Sequence, residues 1–170
     1  MNLKKNLVFL GMMGSGKSTI GYLVSKKLNL NFIDVDDLIE KNTKMSVSEI
    51  FKVKGEKHFR DLEETITLKA LKNIGKVVSL GGGGFINDKI REEVIANHLS
   101  FWLSCDESVL FERINGNKKR PLAFQSTAKE IKKIIMDRSK IYSTAQFKIN
   151  CNKLTKTEIV KEIIKIYELN

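Results

Sequence analysis

The segment Gly11-Met12-Met13-Gly14-Ser15-Gly16-Lys17-Ser18 constrains this chain more than any other. It fits G-x-x-x-x-G-K-[ST], a loop that works only between a buried strand and the helix that follows it. Both flanks are present: Leu7-Val8-Phe9-Leu10 reads as a short buried strand, and residues 19–28 read as the helix. Glycines let the backbone curl so that successive N–H groups point inward at phosphate oxygens. The positive end of the helix holds the same negative charge. Lys17 is placed to reach the outer phosphates of a nucleoside triphosphate, and the Ser18 hydroxyl to ligate a magnesium ion.

Further apolar runs alternate with helical patterns, as in a parallel sheet covered on both faces. Strands are expected at residues 7–10, 32–35, 76–80, 100–103 and 147–150. Three helices open with a capping-box pattern: Ser46…Glu49, Thr127…Glu130 and Thr155…Glu158. In the last, Ile159, Ile163 and Ile166 recur at helical spacing and form one apolar face. No repeat or long linker interrupts the chain, and 170 residues at 42% hydrophobic content suffice for one core, so a single domain over 1–170 is expected. No stretch reaches the roughly 18 apolar residues of a membrane span. The amino terminus runs straight into the first strand and leaves no room for a cleavable signal, so a cytoplasmic protein is expected.

The formal charge of +10 raises nucleic-acid binding. The densest basic group, Lys118-Lys119-Arg120, has no aromatic platforms near it to stack bases. A lysine-rich surface around a site for polyanionic small molecules is the more economical reading. Cys105 and Cys151 have neither metal-ligand spacing nor a redox motif and read as small apolar residues beside strands.

Ligands of open parallel sheets bind beyond the carboxyl ends of the strands. Polar and glycine residues gather at those ends here. Asp34 and Asp36 would project to one side if the extended backbone persists. One could hold water around magnesium and the other accept bonds from substrate hydroxyls, or the pair could cap the next helix. Gly81, Gly82 and Gly83 suit a place where a ligand approaches the main chain, or a plain turn. Arg60 would have Glu56 and Glu64 one helical turn away on either side and Glu63 three residues on. Such acids could fix the guanidinium for an anionic substrate, and ordinary surface ion pairs would have the same spacing. His58 reads as a helix-surface residue. Residues 115–122 look like a basic lid, with Arg120 better suited than Lys118 or Lys119 to multidentate contact, or like a static solvated loop. Arg138 is ambiguous by pattern alone.

Taken in order, these landmarks resemble the shikimate kinase family of nucleoside-monophosphate-kinase-like P-loop proteins over nearly the whole chain. They are Gly11–Ser18 in the loop, Phe32-Ile33-Asp34-Val35-Asp36, Gly55-Glu56 followed by Phe59-Arg60 and Glu63, Ser79-Leu80-Gly81-Gly82-Gly83, Arg120-Pro121-Leu122, and Arg138 with Tyr142. The resemblance implies a three-layer α/β/α fold with a five-stranded parallel sheet ordered 2-3-1-4-5 and a small lid at about 115–126. It implies ATP-dependent phosphorylation of the 3-hydroxyl of shikimate by a monomer, with ATP and Mg2+ bound and no nucleic-acid or membrane partner. Lys17, Asp36 and Arg120 would be catalytic. Gly14, Ser15, Gly16, Lys17, Ser18, Thr19, Arg113 and Arg120 would bind ATP, with Arg113 packing on adenine, and Ser18 and Asp34 would serve the metal. Asp36, Arg60, Gly81, Gly82, Gly83 and Arg138 would bind shikimate, within a region centred on about 34–63. Two departures stand out. Gly84 replaces a small side chain after the triple glycine, which would loosen that wall, and the segment from Cys151 to Leu154 lacks the proline often found against adenine.

Overall fold

β1 (Leu7–Leu10) is buried along its whole length, the burial of a strand covered on both faces. In the computed structural model, which describes residues 5–115 and 128–170, it lies between β3 (Lys76–Ser79) and β4 (Leu99–Ser104). β2 (Asn31–Asp34) and β5 (Phe147–Asn150) form the edges, so the order is β2-β3-β1-β4-β5 and every pair is parallel. This is the α/β architecture expected from the alternation of segments and the strand order implied by the family resemblance. The expected lid, with Arg120, and the capping residue Thr127 lie outside the described residues.

Strand periodicity sorts the core into two halves. Leu7, Phe9, Phe101, Leu103 and Ile149 face one side, where Ile20 and Val24 of α1 (Lys17–Leu28) meet Ile159 and Ile163 of the C-terminal helix, α7 (Lys156–Glu168). Val8, Leu10, Val78 and Trp102 face the other. That side is covered by α2 (Val35–Thr43), α3 (Val47–Leu71), α4 (Asp88–Asn97) and α6 (Ala128–Tyr142). Phe9, Phe101 and Phe147 stack across three strands at centroid separations of 5.6 and 5.1 Å, joining the centre to the β5 edge. α5 (Glu107–Asn115) follows β4. No helix among the described residues is long and apolar enough to cross a membrane.

Two of the expected capping boxes form: Ser46 with Glu49 opens α3, and Thr155 with Glu158 opens α7. Asn6, fully buried, bonds Leu71 O, Asn73 O and Lys76 N, which pins the end of α3 to the start of β3. Boundaries differ from expectation at one place that bears on the site. The second strand ends at Asp34, and Val35 already belongs to α2.

Candidate active site

The phosphate loop closes at Gly16, whose φ of 92° caps the N-terminus of α1 in the left-handed region. Lys17, almost fully buried, folds back so that Nζ donates to Gly11 O and Met12 O, both at 2.9 Å. The ammonium is thereby held at the loop. Ser18 Oγ donates to Asp34 Oδ2 at 2.5 Å, which joins the first turn of α1 to the end of β2. Arg113 on α5 donates to Gly14 O at 3.1 Å from the far side of the loop.

The extended arrangement expected for Asp34 and Asp36 does not occur. Asp34 is the N-cap of α2, and its Oδ1 accepts from the N–H groups of Asp36 and Asp37 at 3.0 and 3.5 Å. An aspartate at a strand end satisfies these otherwise unpaired helix donors so well that the backbone turns immediately. Asp36 sits in the first helical turn and still reaches the cleft, by helix geometry in place of strand alternation. Its carboxyl pKa is pushed up to about 6 by burial, then by the negative charges of Asp34 and Glu63; Lys17 and Arg60 offset this only in part.

Gly55, at φ 82° and ψ 167°, breaks the helical path of α3 and starts the stretch carrying Arg60. Arg60 bonds Glu63 at 2.6 Å and Glu56 at 3.2 Å, and its guanidinium lies over the rings of Phe59 and Phe51. Burial opposes its charge, while Glu63 and Glu56 hold its pKa above the ordinary arginine value. Glu64 does not join this set. It turns to Lys89 at 2.6 Å and Asn87 at 2.8 Å. Glu63 is 2% exposed, and its second oxygen, Oε1, has no hydrogen-bond partner among the described residues.

The glycine turn after β3 is shaped by its neighbours. A Cβ on Gly81 would meet Glu63 Oε1 at 2.5 Å and Asp36 Oδ1 at 2.7 Å; one on Gly83 would meet Arg60 Cζ at 2.8 Å. Both lie well inside contact distance, so these side chains approach as they do only because the turn has none. Gly82 O accepts from Arg138 Nη1 at 3.1 Å and from the Tyr142 hydroxyl at 2.5 Å. Burial raises the Tyr142 pKa to about 12, which keeps the phenol a donor. Arg60 and Arg138 therefore flank one three-residue turn. At Gly84 a methyl would touch Glu63 Oε1 at 3.4 Å and Leu80 Cβ at 3.5 Å, so a small side chain fits there with little adjustment.

One cleft of about 740 Å3 unites these groups. Gly14, Ser15, Gly16, Lys17, Ser18, Thr19 and Arg113 line one end, with Cys151, Leu154 and Lys156 beside them. Asp36, Arg60, Glu63, Gly82, Gly83 and Arg138 line the other, and Asp34 lies between. Gly81 stands behind the wall, buried against Asp36 and Glu63. Sequence spacing raised Arg60 beside the plain ion-pair reading and left Arg138 to the family resemblance, while the burial of Glu63 and the aromatic shelf of Phe51 and Phe59 follow from packing alone.

Residues 13–168 match the family model described as Shikimate kinase. The chain belongs to the shikimate kinase family. It is 39% identical over 165 residues to the shikimate kinase of Thermodesulfovibrio yellowstonii, covering 96% of this chain and 95% of that one. The Persephonella marina enzyme is 38% identical over 160 residues, covering 94% and 97%. Among solved structures, shikimate kinase from Acinetobacter baumannii in complex with shikimate superposes with a TM-score of 0.92 at 25% identity, over 98% of this chain and 94% of that one. The Aquifex aeolicus enzyme gives 0.84 at 32% identity, over 97% of each. A gluconokinase from Sinorhizobium meliloti, at 0.61 and 17%, shares the fold alone. The protein is thus a phosphotransferase, with ATP as phosphoryl donor and shikimate as acceptor.

Proposed function

We propose that residues 1–170 act as a single kinase domain in which the two ends of the cleft divide the reaction between them. The supporting observation is the convergence of Asp36, Arg60 and Arg138 on the glycine turn at one end of a cleft whose other end is the phosphate loop. Shikimate carries one carboxylate and several ring hydroxyls, and this end presents two guanidinium groups and an aspartate. Arg60 and Arg138 pair with the carboxylate. Asp36 accepts hydrogen bonds from ring hydroxyls and points the 3-hydroxyl at the γ-phosphorus. Gly81, Gly82 and Gly83 let the ring approach the main chain, within an acceptor region centred on residues 34–63.

At the donor end, N–H groups of residues 14–19 cradle the phosphates and Arg113 packs on adenine. The attacking oxygen bonds to the γ-phosphorus as the bond to the β–γ bridging oxygen breaks and ADP leaves. Lys17, and Arg120 from a lid at about 115–126, balance charge on the transferring group. Asp36 is a stronger base than an ordinary aspartate and still far weaker than an alkoxide. Orientation is therefore its main task, with the hydroxyl proton accepted as the new bond forms.

The oxygen donors of Ser18 and Asp34 fit a hard cation such as Mg2+, which takes few protein ligands and completes its shell with phosphate and water. Bound there, Mg2+ would withdraw charge from the phosphates. A cytoplasmic monomer without nucleic-acid partners completes the proposal. A coupled assay offering shikimate, quinate, gluconate and nucleoside monophosphates tests it. Turnover is expected with shikimate far above the rest, and equal or faster turnover with gluconate or a nucleotide would refute the acceptor assignment.

A further inference from the structure

Cys105 and Cys151 are far apart in sequence and adjacent in space. β4 and β5 run in register to Ser104 opposite Asn150, and Cys151 N–H continues the pairing to Ser104 O at 2.9 Å. The next opposed pair is Cys105 and Cys151. Neighbouring strands lie about 4.8 Å apart, inside the roughly 4.4–6.8 Å of Cα separation that a disulfide spans. Both thiols are half-buried; Cys151 Sγ donates to Ile149 O at 3.5 Å, and Cys105 Sγ to Ser15 O in the phosphate loop at 3.7 Å. Cys151 lines the nucleotide end of the cleft. The loop is pressed against the end of β4: a Cβ on Gly11 would stand 2.7 Å from Leu103 O.

The geometry points to a thiol-modification site at which Cys105 and Cys151 are joined by a disulfide oxidant, changing the phosphate loop from behind. The neighbouring Cys151 thiol, then the charges of Arg113 and Lys17, lower the Cys105 thiol against burial and Asp106. The neighbouring Cys105, burial and the charge of Glu162 raise the thiol of Cys151. Two cations, Arg113 and Lys17, favour the thiolate of Cys105, whereas Glu162 opposes that of Cys151, so Cys105 is the attacking sulfur. Its thiolate attacks a low-molecular-weight disulfide, RSSR, forming Cys105–S–S–R and releasing RS⁻, which takes up the proton that Cys105 lost. Cys151 then deprotonates and attacks the Cys105 sulfur, expelling the second RS⁻, which is protonated in turn. The protein loses two electrons and two protons, and RSSR becomes two RSH. Once the sulfur of Cys105 is committed to Cys151, its contact with Ser15 O is lost and the loop loses a support.

The test uses the full chain and glutathione disulfide, read by intact mass and peptide mapping. The mass readout needs no acceptor, so its failure is separate from any failure of the shikimate assignment. The native protein is expected to lose two hydrogen atoms, yield a peptide linking Cys105 to Cys151, and revert with dithiothreitol. Cys151→Ser should trap glutathione on Cys105, and Cys105→Ser should react at least about tenfold more slowly than native. Saturating ATP should slow the native reaction, and the oxidised form should show an ATP KM raised about tenfold with shikimate KM within about twofold. Glutathione accumulating on Cys151 without a crosslink, or both serine variants reacting at the native rate, overturns the site. A crosslinked enzyme with unchanged ATP KM overturns its link to the loop.

Discussion

The two ends of the cleft are built from different materials. At the phosphate loop the ligand-facing surface is mostly backbone, set by one continuous stretch, and Lys17 is fixed by carbonyls five and six residues away. At the glycine turn it is mostly side chain, delivered by α2, α3 and α6 to a turn following β3. The first end draws its phosphate-facing backbone from the single β1–α1 connection, whereas the second needs α2, α3 and α6 in place together. Damage to the first should therefore be local and chemical. Damage to the second should spread through shared contacts, above all through Glu63, which meets Arg60, Gly81 and Asp36.

The largest expected effect breaks the donor end. Lys17→Ala should lower kcat by about a thousandfold, or about 4 kcal/mol of transition-state stabilisation, with the fold intact by circular dichroism. A folded variant with near-native turnover would remove Lys17 from the chemistry. At the acceptor end, Arg60→Ala and Arg138→Ala should each raise the shikimate KM by about a hundredfold. The double variant should fall short of the product, because both groups serve one carboxylate. Steady-state kinetics of the three variants decides this, and fully multiplicative losses would mean the arginines act on separate groups.

Asp36→Asn separates activity from stability. It should cut kcat with shikimate by about tenfold to a hundredfold while leaving ATP affinity near native. The native Asp36 pKa, about 6, lies above its unfolded value of 3.8, so between those values the folded protein binds more protons than the unfolded chain. Whatever stability the neutral carboxyl contributes is present below pH 4 and is lost as pH rises through 6. In metal-free buffer at pH 8, denaturant unfolding should find the asparagine variant more stable by on the order of 2–3 kcal/mol. Near pH 3.5 the two should converge. The smallest effects come from the turn. Gly83→Ala should raise the shikimate KM about tenfold by displacing the Arg60 guanidinium, and Gly84→Ala should change it less than about twofold. Equal effects at the two positions would show that the clearance beside Arg60 is immaterial.

The same contrast explains what the sequence disclosed. The phosphate loop and two capping boxes are local patterns, and Ser46, Glu49, Thr155 and Glu158 meet as their spacing requires, whereas the strand order was legible only through the family resemblance. Asp34 and Asp36 were legible as a pair, but which backbone joins them was not. Extended strand and capped helix both bring the two acids toward one cleft, and only the hydrogen bond to Asp36 N distinguishes them. Glu63 and Glu64 are adjacent acids, and packing alone sends one inward to Arg60 and the other outward to Lys89. Arg138 acquires meaning from Gly82, 56 residues away in the chain. Cys105 and Cys151 needed the β4–β5 register before they could be seen as neighbours.

The acceptor end is the central claim, and a shikimate analogue bearing a carboxamide in place of the carboxylate tests it most directly. The comparison is kcat/KM for acid and amide in the native enzyme and in Arg60→Ala and Arg138→Ala. Two guanidinium groups flanking the turn predict native discrimination of about a hundredfold or more, falling to about tenfold or less in each variant. Equal discrimination in all three proteins would contradict the account, because the carboxylate would then be read by something other than Arg60 and Arg138.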